Sequence, residues 1–469
     1  MKKRISLLLL VMLFALVLLG AKDGAAAPDP EQDPYDGGGP IRPIDLGQSQ
    51  LEDSLGGLLE GTATSDGFFS VSYAPDFSFK KFAFQLDLKV RGFVTTDPFT
   101  LDIDFSDWRL PKRGSDQSGA DFVLSALGKY SSFIRYAQWG NRYEPIYIRY
   151  GKLVGITLGD GALLNGYFDL SVGAHTSRPG LNFTLDGDLV GIHNAGFEFV
   201  TNDLFEPTLM AWRLYARPFS NQYPLSYFSS VELGVSFAEN PSASFAQRDA
   251  KKPHTRKLIS LDMGIPLLTR NFFTLAFFTD LLVQSPGAFS PQPALATRYG
   301  FFGHSMSFFL FNTSVTIPVF GTYYTDYFDS GFEELTLEDR TNSILEDGAM
   351  RVDAMAGLNF TRVGAYLRTR IRSDYSDGVF SNHTFQANVR IDKRLFNIVS
   401  LDLSYEKLYP TSTDEGFVEG LFSLRNAEIA ASAIIKIKPY SFTIGLGMMF
   451  DENAQSTLQV DTAVRISIL

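Results

Sequence analysis

Taken in steps of two, the stretch from Arg362 to Arg372 separates into two faces. Val363, Ala365, Leu367, Thr369 and Ile371 fall on one. Arg362, Gly364, Tyr366, Arg368, Arg370 and Arg372 fall on the other. A strand sends alternate side chains to opposite faces, so this is an apolar wall backed by an arginine ladder. The same dyad recurs from Phe68 to the C-terminus. Phe82, Phe84, Leu86, Leu88 and Val90 oppose Ala83, Gln85, Asp87, Lys89 and Arg91. After the turn signal Thr95–Pro98, Phe99, Leu101, Ile103 and Phe105 oppose Thr100, Asp102 and Asp104. Further runs start near Ile146, Leu181, Val231, Ile259, Phe309, Phe385, Val399 and Phe442. Several reach about 9–11 residues, the length with which a tilted strand crosses a bilayer. Strands of soluble domains are shorter, about 5–6 residues.

A soluble sheet would bury the apolar face and wet the polar one. A membrane barrel does the reverse, with apolar residues toward lipid and polar ones toward a watery lumen. Aromatic pairs at the ends of runs, such as Phe272-Phe273, Phe301-Phe302 and Tyr323-Tyr324, suit the girdles of a membrane barrel. Long polar stretches alternate with short turns. The long ones are Pro111–Gly119, Ala238–Arg256, Ser285–Arg298, Asp326–Gly348 and Tyr409–Gly420. The expected fold is therefore all-β: a transmembrane antiparallel up-and-down β-barrel. At roughly 20–25 residues per strand it would have about 14–18 strands, an even number.

The segment before Phe68 differs. Lys2, Lys3 and Arg4 precede an apolar run from Ile5 to Leu19 and a small-residue stretch from Gly24 to Ala27. This reads as a signal peptide over residues 1–26, cleaved after Ala26. Residues 27–67 open with a stretch rich in Pro, Gly and Asp and read as a periplasmic linker or a plug segment. Leu51, Leu55, Leu58 and Leu59 recur at helical spacing, so one short amphipathic helix is expected there. The barrel is assigned residues 68–469.

Composition sharpens the choice. The chain carries 42 Phe and 20 Tyr but 3 Trp, and aromatics make up 14% of it, high for a soluble protein. It contains no cysteine, which excludes disulfides and thiol-based metal or redox sites. The net charge is −11; removing residues 1–26 takes away four positive charges and one negative and leaves −14. That balance speaks against a nucleic-acid partner.

The last residues, from Leu458 to Leu469, alternate once more: Leu458, Val460, Thr462, Val464, Ile466 and Ile468 against Gln459, Asp461, Ala463, Arg465 and Ser467. A strand that closes the chain in this way resembles the C-terminal signal of bacterial outer-membrane β-barrel proteins of the porin-like superfamily. In that superfamily the alternating pattern ends in an aromatic residue, usually Phe; here the chain ends in Leu469. The resemblance covers the chain from about Phe68 onward. It implies export by a signal peptide, insertion into outer-membrane lipid by the barrel assembly machinery acting on 458–469, and passive diffusion or uptake of small-molecule solutes. A weaker resemblance is to long-chain fatty-acid transporter-type barrels, whose N-terminal plug residues 28–67 could supply. The asparagine-proline-alanine signature of that type is missing near the mature N-terminus. A surface adhesin or structural barrel acting through its external loops is a third reading.

The candidate chemistry lies in the lumen. Arg351, Arg362, Arg368, Arg370, Arg372 and Arg390 form one expected basic wall. Just upstream lie seven acids, Asp329, Glu333, Glu334, Glu338, Asp339, Glu346 and Asp347. Folded inward, this loop would set acids across a constriction from arginines and select solutes by charge; left outside, it is simply solvated. Catalytic and metal readings are poor. His175 and Ser177 with Asn182 could mimic a hydrolase, but Arg178-Pro179-Gly180 places them in a loop. The spacing of Asp186 and His193 is common by chance. No two histidines lie at ligand spacing, and the glycines of Arg149–Tyr167 lack a phosphate-loop ending. No enzyme activity and no cofactor are expected.

Overall fold

The computed structural model describes residues 54–64, 68–96, 99–105, 108–109, 119–131, 133–141, 144–153, 156–164, 179–205, 207, 209–219, 231–239, 257–270, 273–284, 294–304, 309–320, 323–324, 344–345, 348–360, 365–391, 399–408, 420, 423–437, 440–451 and 454–467. Twenty-four strands follow one another. They are β1 (Ser54–Thr64), β2 (Phe68–Phe79), β3 (Phe82–Leu86), β4 (Leu88–Thr96), β5 (Phe99–Asp104), β6 (Ile134–Trp139), β7 (Ile146–Gly151) and β8 (Gly180–Asp186). Next come β9 (Ala195–Thr201), β10 (Met210–Ala216), β11 (Glu232–Glu239), β12 (Lys257–Arg270), β13 (Phe273–Gln284), β14 (Ala294–His304) and β15 (Phe309–Phe320). A small pair, β16 (Tyr323–Tyr324) and β17 (Ile344–Leu345), stands apart. The set ends with β18 (Met350–Phe360), β19 (Ala365–Ser376), β20 (Val379–Ile391), β21 (Val399–Leu408), β22 (Ala427–Ile437), β23 (Tyr440–Phe450) and β24 (Ser456–Ser467). One helix, α1 (Gly119–Ser131), lies between β5 and β6.

All strands but β16 and β17 join one 22-stranded sheet. Apart from β3 with β4 and β5 with β6, each pairs antiparallel with the next strand of that sheet in the chain, and the ladder of pairings closes on itself. β1 pairs on one edge with β2 (Leu58 opposite Ala74) and on the other with β24 (Gly56 opposite Ser467). The 22 strands make 20 staves, because β3 and β4 are two halves of one stave and β5 and β6 two halves of the next. Closure removes every long free edge, the condition for a sheet in lipid. The strand count exceeds the expected 14–18. The excess comes from β6 to β10, whose 6–7 residues each consume less chain than the assumed average.

Two expectations for the N-terminal segment are corrected. The leucine spacing at Leu55, Leu58 and Leu59 does not make a helix: these residues lie in β1. The wall therefore starts at Ser54 rather than Phe68. A strand that completes the ring gains a ladder on both edges, and that outweighs a weak helical periodicity interrupted by Gly56 and Gly57.

The two faces of the wall follow the alternation. On β2, Val71, Tyr73, Phe77 and Phe79 are exposed while Ser70, Ser72, Ala74 and Asp76 are buried. On β12, Leu261 is 48% exposed and its neighbour Ser260 1%. Apolar side chains point out and polar ones point in, the inverse of a soluble sheet and the arrangement of a membrane barrel. No described helix is long and apolar enough to cross a membrane.

The barrel interior is uneven. Inward side chains on β8 to β15 are deeply buried, whereas most of those on β18 to β24 stay partly exposed. The difference comes from the chain after β7, which turns inside. Leu153, Ile156, Leu158, Leu163 and Leu164 form a core with Val200, Leu209, Ala211, Ala238, Leu258, Leu282 and Ala296, mostly inward positions of β9 to β14. One side of the lumen is thus filled by residues 152–164.

Candidate functional site

Two sets of lumen residues follow from this geometry. The first is the wall of β18 to β21. Register places Arg351 opposite Asp374, Asp353 opposite Arg372, Met355 opposite Arg370 and Gly357 opposite Arg368, all facing the interior. Arg370 donates to Asp353 through Nε at 3.1 Å and Nη2 at 2.6 Å, and Arg372 Nε donates to the same carboxylate at 3.2 Å. Arg351 holds Asp374 with both arms of its fork, at 2.5 and 2.7 Å. Arg390 grips Asp402 in the same way at 2.9 Å, and Gln386 donates to Glu406 at 2.9 Å. Two-armed arginine–carboxylate pairs fix the direction of both groups and are among the stronger charged contacts.

Of the six arginines of the expected basic wall, five lie on three adjacent strands, and carboxylates share those strands. Arg351, Arg368, Arg370, Arg372 and Arg390 are together, and carboxylates from their own and neighbouring strands alternate with them. On β18 to β20, five arginines stand against Asp353 and Asp374; Asp402 and Glu406 follow on β21 and Glu428 on β22. Sequence reasoning found the arginines through the dyad and missed the pairing, because register between strands is not readable from one strand's periodicity. Arg362 and the seven acids of the proposed constriction loop, Asp329, Glu333, Glu334, Glu338, Asp339, Glu346 and Asp347, lie outside the described residues.

The second set anchors the inward segment. Asp160 accepts from Arg298 Nη1 at 3.1 Å, and Asp280 accepts from the same nitrogen at 3.2 Å. Arg298 in turn lies 4.4 Å from the centre of the Phe278 ring. One strand arc away, Arg213 meets Glu232 at 2.8 Å, Asp262 at 2.5 Å and Glu198 at 3.7 Å. Gly159 lies against this guanidinium; a Cβ there would stand 2.6 Å from Arg213 Nε, and its φ of +59° also favours glycine. Lys152, where the segment leaves the wall, pairs with Asp87 at 3.3 Å, and Ser72 Oγ donates to that same carboxylate. Gly159 thus allows close approach between segment and wall.

The remaining candidates disperse. His175 and Ser177 lie outside the described residues, and Asn182 points into the lumen from β8. His193 bonds Asp188 at 2.9 Å on an exposed turn, while Asp186 caps that turn by accepting from the Asp188 amide. At a bulge between β19 and β20, Ser373 Oγ and His383 Nδ1 are 2.7 Å apart, but the neighbouring Asp374 is held by Arg351. No group of three or more metal-ligating side chains occurs among the described residues.

Helix α1 was absent from the sequence reading. Val123, Leu127 and Tyr130 recur at helical spacing and are exposed, and Gly128 abuts the Phe205 ring. The signal was present but short, and it begins where the stretch read as polar, Pro111–Gly119, ends.

No protein-family model matches the chain, and no curated protein is significantly similar to it. Solved structures show a distant likeness over most of the chain. The siderophore receptor PirA of Pseudomonas aeruginosa is 10% identical with a TM-score of 0.38, over 90% of this chain and 82% of that one. OccK2 (OpdF) of Pseudomonas aeruginosa, solved in complex with glucuronate, is 8% identical with a TM-score of 0.36, over 91% and 100%. OccAB1 of Acinetobacter baumannii is 9% identical with a TM-score of 0.34, over 90% and 100%. Likeness this distant carries no functional detail, and the fold stands on the chain's own closed ladder. That ladder, apolar without and polar within, has the architecture of the outer-membrane β-barrel superfamily.

Proposed function

We propose that this protein is an outer-membrane channel for passive diffusion or uptake of small polar solutes. The observation that carries the reading is the unevenness of the lumen. Residues 152–164 fill the side along β9 to β14, and the side along β18 to β22 keeps partly exposed arginines, carboxylates and amides. A solute would pass along that second side, exchanging water for paired charged groups on the wall. Charges lining a narrow low-dielectric passage act strongly on what passes. The basic strip of β18 to β20 and the acidic strip of β21 and β22 would orient a solute with separated charges. Location in a bacterial outer membrane, contact with its lipid, and delivery by the assembly machinery through residues 458–469 belong to the same reading. No catalytic step is needed.

A second reading has one observation in its favour: the lumen holds an apolar core built on an inward chain segment. A plugged transporter for hydrophobic solutes would use such a plug, supplied here by residues 152–164 rather than by the N-terminal segment. Conductance separates the two. The refolded mature chain in a planar bilayer is expected to give discrete steps. Silence from protein that is folded and heat-modifiable on a gel would overturn the channel and favour the plugged transporter.

A further inference from the structure

Among the described residues, the inward face of β7 and β8 carries one charge, Arg149, that meets no carboxylate. Arg149 donates from Nη1 to Gln138 Oε1 at 2.8 Å, and its guanidinium lies 4.6 Å from the Tyr136 ring centre. These contacts fix the fork but do not neutralise it. Among the described residues Arg149 forms no ion pair, and its Nε is buried with no hydrogen-bond partner. Directly opposite in the ladder is Asn182, 2% exposed, whose Nδ2 is also unpartnered. Two residues further along β8, Thr184 is 9% exposed, and its hydroxyl is unpartnered as well. The nearest carboxylate across the next ladder, Glu198 opposite Thr184, is turned to Arg213 at 3.7 Å and to the Gly159 amide at 3.5 Å.

A buried donor left unmet is destabilising, and a partly buried cation without a counter-charge adds to that. Neighbouring strands put the Arg149 and Asn182 backbones about 5 Å apart, so one small ligand can reach both. What is missing has defined chemistry: negative charge and acceptor oxygens facing two N–H donors and a hydroxyl. We infer that Arg149, Asn182 and Thr184 form a binding subsite for a small oxyanion, carboxylate or phosphate, on the lumen wall away from the β18–β21 arginines. Arg149 as a whole is only partly buried, although its Nε is covered. Water would satisfy the donors but not the charge.

The test is thermal unfolding of the refolded full-length mature chain in detergent, at fixed ionic strength, with inorganic phosphate and separately acetate titrated in. The reference variant is Asn182→Asp, which places a carboxylate of the protein's own beside Arg149. Arg149→Gln removes the charge. For wild type a saturable rise in Tm is expected, about 2.7 kcal/mol of stabilisation at a hundredfold excess over Kd. The rise should vanish in both variants, and Asn182→Asp should start at or above the wild-type Tm. That last point separates loss of a site from loss of the fold. A wild-type Tm indifferent to both anions would overturn the inference and leave the site to water. So would an equal response in Asn182→Asp. The readout needs no conductance, so its failure and the failure of the channel reading are distinguishable.

Discussion

Arg298→Gln is the substitution that best probes how the inward segment is held. Arg298 serves two carboxylates, Asp160 of the segment at 3.1 Å and Asp280 of the wall at 3.2 Å, and is 7% exposed. Breaking a buried pair from one side leaves uncompensated charge and costs about 3–5 kcal/mol. Against this stands the packing of Leu153, Ile156, Leu158, Leu163 and Leu164, each 7% exposed or less. At about 1.5–3 kcal/mol per fully buried aliphatic side chain, the five contribute roughly 8–15 kcal/mol as an upper bound. Packing exceeds the ionic anchor, so Arg298→Gln should destabilise the barrel without expelling the segment. The expected result is a lower urea midpoint and unchanged single-channel conductance. Leu158→Asp with Leu164→Asp, which strikes the packing itself, should raise conductance. If Arg298→Gln alone opened the pore as far as the double variant, the ion pair would be the dominant anchor and the reasoning refuted. If the double variant left conductance unchanged, the segment would not obstruct the passage.

Other variants test the wall. Asp353→Asn removes the carboxylate that Arg370 and Arg372 share, and the reversal potential under a salt gradient should shift toward anion preference; an unchanged potential would place the conducting path elsewhere. Asp374→Ala should cost about 3–5 kcal/mol in urea unfolding, since it removes one side of a two-armed pair with Arg351, itself 5% exposed. Leu261→Arg puts a charge on the outward face of β12 and should cost about 2–4 kcal/mol in lipid vesicles if that position lies near the bilayer midplane. A neutral result in vesicles would argue against lipid contact there. Gly300→Ala should cost about 1–3 kcal/mol of stability, read as a lower urea midpoint, because a Cβ would overlap the Phe278 ring and the Thr313 carbonyl oxygen.

The outward and inward faces were legible in the sequence because they depend on one number, the period of two. Val71, Leu261 and Phe442 point outward where the alternation places them, and Ser70, Ser260 and Arg370 point inward. What depends on two strands at once was not legible. Nothing in the strand of Asp353 says that Arg370 and Arg372 will meet it. Thirty-four residues separate Glu198 from Glu232, and both serve Arg213. Such partners are chosen by register, which turn lengths and bulges set. The first strand was misread for a related reason. Leu55, Leu58 and Leu59 carry a local helical signal, and only the free edges of β2 and β24 convert them to a strand.

The inward segment shows a different limit. Leu153, Ile156, Leu158, Leu163 and Leu164 look in sequence like one more apolar run beside the glycines of a bend. In a strand of this barrel such residues would face lipid. They face the lumen because the inward positions opposite them are themselves apolar or small: Val200, Ala211, Ala238, Leu258, Leu282 and Ala296. On β18 to β20 the corresponding positions hold Arg351, Asp353, Arg370 and Arg372, and no described segment packs there as 152–164 does. An alanine, valine or leucine on the polar face of a barrel strand, repeated over six adjacent strands, is thus a signature of chain inside the lumen. It is written in the sequence, but only once the strands are placed side by side.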